Sequence, residues 1–339
     1  MPPRVPAAPR LPRSDDRPLR ELIAGGLTLP AVLVAHELKL FPLLARAPLT
    51  TAEVGAALGI APRPARALIA ACASVGLVSA REGRWSLTPL AEDYFLPESP
   101  AYFGGYWEML IATAPLFSFD RVRRAILTDE PQHKTISWPD RSRAFTRAMH
   151  DRGMASALVW PAQIDLSQHH VVLDVGGGSG VHAIGLCLAN PHLRAIVFDR
   201  AEVCALAEET IAAHGLADRI RAQPGDMWAE EPFPAADVHL YSEVFHNSSP
   251  ERCRALARKS FAALPPGGRI LLHEILYDDD AAGSRPAAAS GIVMLLWTHG
   301  GQQYTALELS ALLEEVGFSG VEVAQAAGVY SILQARKPA

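Results

Sequence analysis

The densest run of chemistry-bearing residues is Asp174-Val175-Gly176-Gly177-Gly178-Ser179-Gly180. It ends the apolar run Val171–Val175 and opens a helical segment. Glycines in such a turn let backbone N–H groups come close to a ligand at a helix N-terminus. The next apolar run ends at Asp199, nineteen residues beyond Gly180. A carboxylate at that offset can hold both hydroxyls of a ribose. Gly225-Asp226-Met227 follows the third run. An Asp there can accept from an adenine amino group, and a Met can pack on the ring. Three acids in register after successive strands argue for a nucleotide-bearing ligand rather than a mere tight turn. Gly178-Ser-Gly180-Val-His-Ala183 also fits the G-x-G-x-x-A form of a dinucleotide fingerprint, so NAD is a rival. Asp174, placed to meet an α-ammonium, and the Asp226-Met227 pair favour S-adenosylmethionine.

Positioning these residues requires an alternating α/β chain. Expected strands are Val171–Val175, Ala195–Phe198, Arg219–Ala222, Val238–Tyr241 and Arg269–Leu276, with Gly320–Val323 and Tyr330–Ala335 closing the chain. Helical segments lie between them. The pattern predicts a doubly wound, Rossmann-like sheet of seven strands that binds ligands at strand carboxyl ends. Upstream, Leu27–Leu44 carries an apolar stripe, Thr50-Thr51-Ala-Glu53 reads as a capped helix start, and Pro62–Leu77 is a further helix. Val78–Leu87 reads as a hairpin around Arg81-Glu82-Gly83-Arg84. Helix, helix, hairpin is a winged-helix pattern. Its candidate recognition helix, Ala65–Val75, is apolar almost all round, which suits burial better than groove reading. The expected organisation is a disordered tail (1–18), a winged-helix dimerisation domain (19–101), a helical linker (102–168) and a ligand-binding α/β domain (169–339).

Composition narrows the class. The chain has 339 residues, 31 Lys+Arg and 36 Asp+Glu, with a formal net charge of −5. That length suits two domains of roughly 100–200 residues each. The acidic balance disfavours a nucleic-acid partner, although a winged-helix regulator binding DNA is the alternative from another class. No stretch approaches the ~20 apolar residues of a membrane span. The Pro- and Arg-bearing start lacks the apolar core of a secretory signal. Cys72, Cys187, Cys204 and Cys253 form no CxxC pair, as expected of a cytoplasmic protein.

Together these residues resemble the S-adenosylmethionine-dependent small-molecule methyltransferases of the plant caffeate type and their bacterial natural-product relatives. Matching pieces beyond the glycine loop are Phe145-Thr-Arg-Ala-Met149, Phe245-His246, Leu264-Pro-Pro-Gly267-Gly268 and Met294…Gly300-Gly301…Thr305. The resemblance implies cofactor binding by Gly176, Gly178, Asp199, Asp226 and Met227. It also implies an intertwined homodimer and a small-molecule substrate. In the family's O-methylating members a His after the fourth strand deprotonates a substrate hydroxyl; here it is His246. A neutral imidazole suits a general base near physiological pH. Of the family's two flanking acids, Glu274 matches one.

The other acid position holds Gln303, within Gly300-Gly301-Gln302-Gln303-Tyr304-Thr305, and the usual His-Asp-Trp reads His246-Asn247-Ser248. His273 and His299 stand where the family has other residues. With His246 they resemble a smaller branch, the metal-dependent C-methyltransferases acting on α-keto acids. Imidazole and carboxylate sets suit zinc or iron. A divalent ion chelated by the substrate would acidify its β-C–H and stabilise the enolate. Metal-dependent C-methylation is therefore the leading expectation, with O-methylation by His246 as the alternative. Strand alternation points His273 and Glu274 to opposite faces, so both reach one site only from a bulged strand end.

Overall fold

The computed structural model describes residues 13–135, 141–280 and 283–339. Residues 1–12 of the expected tail lie outside the described residues. The chain forms two compact units, Met1–Ser99 and Pro100–Ala339.

In the first unit, α1 (Arg17–Glu37) and α2 (Leu40–Arg46) replace the single stripe expected over Leu27–Leu44. The break is at Lys39, whose φ of 62° leaves the helical region. Thr50 caps α3 (Thr51–Leu58): its hydroxyl accepts from Glu53 N, and the Glu53 carboxylate accepts from Thr50 N at 2.7 Å. After α4 (Pro62–Ser74), β1 (Val78–Arg81) and β2 (Arg84–Leu87) pair antiparallel, and α5 (Pro89–Phe95) follows. The expected all-round burial of the recognition helix is not what α4 shows. It buries Ala65, Leu68, Ile69 and Cys72, while Arg63, Arg66, Ala67 and Ala70 are exposed. Small Ala side chains are apolar in a sequence pattern yet carry little area to bury.

α1 also corrects the expectation that no segment nears membrane-spanning length. It has 21 residues and a mean hydropathy of 1.4 over its most apolar window, so it passes that test by length and composition. Within its unit Leu19, Leu22, Ile23 and Leu27 are exposed.

The second unit opens with α6 (Gly104–Thr113), α7 (Phe119–Thr128) and α8 (Arg141–Val159). The α/β alternation then runs β3 (Val171–Val175), α9 (Val181–Ala189), β4 (Arg194–Asp199), α10 (Ala201–Ala213), β5 (Ile220–Pro224) and β6 (Val238–Ser242). It continues through α11 (Pro250–Ala263), β7 (Arg269–Glu274), α12 (Arg285–Trp297), α13 (Ala306–Val316), β8 (Ser319–Gln325) and β9 (Ser331–Arg336). The seven strands lie in the order β5-β4-β3-β6-β7-β9-β8. Those from β3 to β7 pair parallel, and β9 runs antiparallel to both its neighbours.

Period-two alternation divides the core between the two faces of the sheet. Leu173, Ile196 and Tyr241 pack on one face, and Val172, Val197 and Leu240 on the other. Strand order reverses between β3 and β6, and their carboxyl ends border the crevice where such sheets bind ligands. That reversal brings the Gly176–Gly180 loop beside the segment that carries His246. Leu173 is fully buried in β3. Leu173→Ala should cost about 2–5 kcal/mol by urea unfolding, the range for a buried leucine that leaves a cavity.

Candidate active site

On the β3 side, Gly176 and Gly178 adopt φ of +69° and +58°, a region that side chains disfavour. A Cβ at Gly176 would press within 3.0 Å of Met227 Cε. At Gly178 it would enter open space, so the backbone there is free to face a ligand. Asp199 ties this loop down: Oδ2 accepts from Gly178 N at 3.0 Å, and Oδ1 accepts from Arg200 N at 2.7 Å. Burial raises the Asp199 pKa, against the pull of those two bonds. Asp226 accepts from Trp228 N at 2.9 Å and is exposed. Asp199, Asp226 and Met227 line one crevice with Phe198, Gly225 and Trp228. Lys259 fixes its floor by donating to the carbonyls of Met227 and Ala229.

Asp174 is 1% exposed, and its Oδ2 has no hydrogen-bond partner. Burial raises its pKa to about 7; the Ala183 N–H opposes this and the Asp199 charge adds to it. An orphaned, buried carboxylate oxygen beside a glycine loop suits a cationic donor such as an α-ammonium.

On the β6–β7 side the chain turns sharply. Glu243 has a φ of 54°, and a short helical turn, Phe245–Asn247, follows. Glu274, the last residue of β7, grips that turn twice. Its Oε1 accepts from Phe245 N at 3.0 Å, and its Oε2 lies 2.6 Å from His246 Nδ1. Both residues are buried. With Nδ1–H donating to the carboxylate, Nε2 keeps the basic lone pair. Burial alone would lower the His246 pKa, but the charge and hydrogen bond of Glu274 outweigh it and the net shift is upward.

The expected metal set His246, His273 and His299 does not assemble. The end of β7 is regular, so His273 points to the opposite face from Glu274, as alternation dictates. There its ring nitrogens meet Ser156 Oγ at 3.2 Å and Ser242 Oγ at 2.9 Å, and it stacks on Tyr330. Burial holds it well below the ordinary histidine range, hence neutral. His299 is 61% exposed, with Nδ1 4.0 Å from Glu130. Among the described residues no three His, Cys, Asp or Glu side chains gather to hold a metal ion. The donor geometry fits neither zinc nor iron, and no step is routed through one.

A charged pair absent from the sequence expectations adjoins this site. Arg152 of α8 hydrogen-bonds Glu243, and both side chains are largely buried. The Arg152 guanidinium also lies over the Tyr106 ring, 5.4 Å from its centre. Burial would raise the Glu243 pKa, yet Arg152 chiefly holds it at about 2. The two residues lie 91 positions apart, so neither segment alone signals the pair.

Residues 133–319 match the O-methyltransferase domain, and residues 21–96 match the O-methyltransferase dimerisation domain. The chain belongs to the O-methyltransferase family. The methyltransferase is 36% identical over 313 residues to a 3-hydroxy-5-methyl-1-naphthoate 3-O-methyltransferase from Streptomyces sahachiroi, covering 89% of each chain. It is 31% identical over 320 residues to a tetracenomycin polyketide synthesis 8-O-methyl transferase from Streptomyces glaucescens, covering 91% of this chain and 93% of that one. Human N-acetylserotonin methyltransferase, solved in complex with SAM (S-adenosylmethionine), superposes with a TM-score of 0.84 at 25% identity. That match covers 97% of this chain and 100% of the human one. This chain is thus an S-adenosylmethionine-dependent methyltransferase with the seven-stranded fold of that class. The metal-dependent C-methylating branch finds no support in these relatives, in line with the scattered histidines.

Glu243→Gln would leave the Arg152 guanidinium buried without its counter-charge. The expected loss is about 3–5 kcal/mol of stability in chemical denaturation. Because His299 stands exposed and apart from His246, His299→Ala should leave the rate of methyl transfer unchanged. A large loss of turnover in that variant would reinstate the metal reading.

Proposed function

We propose that the methyltransferase transfers the methyl group of S-adenosylmethionine to a hydroxyl oxygen of a small aromatic natural product, with His246 as general base. The observation that carries this reading is the 2.6 Å contact between His246 Nδ1 and Glu274 at the mouth of β6 and β7. Glu274 orients the ring, fixes its tautomer and stabilises the imidazolium that forms. His246 Nε2 then accepts the hydroxyl proton as the oxygen attacks. S-adenosylmethionine supplies an electrophilic methyl on a sulfonium sulfur, which leaves as a thioether.

The remaining assignments are those expected from the sequence. Asp174 would meet the α-ammonium, Asp199 the ribose and Asp226 the adenine amino group. Met227 would pack on the adenine ring, and Gly176 and Gly178 would admit the ligand to the backbone. The exposed Leu22, Ile23 and Leu27 of α1, within the matched dimerisation segment, support a homodimer formed through the N-terminal domain. An aromatic substrate is suggested by the naphthoate relative.

Incubation with S-adenosylmethionine and a panel of hydroxyarenes, with product structures read by NMR, tests the reaction. An O-methyl ether is the expected product; exclusive C-methylation would overturn the proposal. His246→Ala should lower kcat by about 10²–10⁴-fold, the range for losing a positioned general base. His246 must be neutral to act, and its pKa is raised, so kcat/KM should climb with pH through an inflection above the ordinary histidine value. Glu274→Gln removes the charge that raises this pKa but leaves the burial, so the inflection should move to lower pH.

A further inference from the structure

Gln303 is 5% exposed, and neither its Oε1 nor its Nε2 has a hydrogen-bond partner. A buried amide left unsatisfied loses its hydration with nothing in exchange. Native chains keep such groups where a ligand or ordered water completes them.

Its position indicates which ligand. The segment from Thr298 to Thr305 runs against the His246 turn. A Cβ on Gly301 would lie 2.7 Å from the His246 carbonyl oxygen. Tyr304 donates its hydroxyl to the Ser248 carbonyl at 2.7 Å, which anchors the segment beneath that turn. Tyr304 O also accepts from Tyr277 N, and Thr305 bridges Tyr277 in parallel. The segment is therefore extended here, and neighbouring side chains leave it on opposite sides. Tyr304 points into the core, so Gln303 points away from it toward α12. There its Cβ comes within 3.9 Å of where a Cβ on Gly291 would sit, and the Tyr277 hydroxyl approaches the same glycine. Gln303 thus stands where the His246 turn, the segment beyond Glu274 and α12 meet.

We propose that Gln303 is a specificity-determining residue: its amide Nε2–H binds a carboxylate or ketone oxygen on the ring carbon next to the reacting hydroxyl. The inference rests on the O-methylation reading above. The chemistry explains why an amide serves here. A carbonyl oxygen beside a phenol holds the phenolic proton in an internal hydrogen bond and hides it from a base. A donor from Gln303 competes for that carbonyl oxygen and frees the proton for His246 Nε2. The acid that the family pattern carries at this position cannot donate when ionised, and it repels a carboxylate. The substrate class is a hydroxyarene with a vicinal carboxylate or acyl group.

The test compares 3-hydroxy-2-naphthoate with 2-naphthol, in kcat/KM and in calorimetric affinity for the protein loaded with S-adenosylhomocysteine. The wild type should favour the acid by about tenfold or more. Gln303→Leu should erase that ratio, and Gln303→Glu should reverse it in favour of 2-naphthol. Affinity for S-adenosylhomocysteine, measured on each variant, checks that the fold is intact. A ratio that stays the same in all three proteins overturns the proposal, as does a wild type that binds the acid no better than the naphthol. If the affinity ratio behaves as expected and the probes are methylated only on carbon, Gln303 keeps its role and the O-methylation reading fails.

Discussion

The Glu274 carboxylate is the constraint on which the reaction side depends. One oxygen holds the backbone N–H of Phe245 and the other holds the ring of His246. His246 and Glu274 belong to neighbouring strand ends and lie 28 residues apart in sequence. Their meeting therefore requires the parallel β6–β7 register, which pairs Ser242 with His273. A carboxylate at 2% exposure has no bulk water to satisfy it, so it takes both donors that the turn provides. The turn in turn requires Glu243 to adopt a left-handed conformation, and Arg152 holds that side chain in place. Orientation of the His246 ring, strand register and the Arg152 pair form one linked arrangement rather than three separate contacts.

The two halves of the crevice differ in how they are built. On the β3 side, backbone dominates: positive φ at Gly176 and Gly178, and a loop pinned by the Asp199 side chain. On the β6–β7 side, side chains dominate: Glu274 holds His246, Ser156 and Ser242 hold His273, and Arg152 Nε and the Gln303 amide are buried without a hydrogen-bond partner among the described residues. A ligand shared by all members of a family can be met by backbone. A substrate that differs between members must be met by side chains that are free to vary.

Much of the α/β unit was legible in the sequence, because buried parallel strands appear as short apolar runs that end at chemistry-bearing residues. Asp174, Asp199 and Asp226 fell where those runs predicted. The terminal residues moved by one or two positions, as at Arg194–Asp199 against the expected Ala195–Phe198. His246 and Glu274 were legible by type, but their direct contact was not, since register between β6 and β7 is not written in either segment alone. The histidine set was misread for a physical reason. Alternation let His273 join Glu274 at one site only from a bulged strand end, and the end of β7 is regular. A regular strand end turned His273 toward Ser156, and a glycine turn left His299 in water. The Arg152–Glu243 pair had no local signature, because its two members are joined only by packing of α8 against the sheet.

The unpartnered oxygen of Asp174 has a consequence for how the crevice exchanges protons with solvent. Burial raises the pKa of this carboxyl to about 7, so it holds a proton far more readily than an exposed aspartate. A cation arriving beside it favours the carboxylate, so part of a proton leaves as the cation enters. A positively charged ligand bound against Asp174 would then acidify the medium, and its heat of binding would include the ionisation heat of whichever buffer takes up that proton. A neutral analogue of the same shape would displace no proton and give a heat independent of the buffer. The crevice therefore distinguishes charge from shape through its proton inventory, before any methyl group moves.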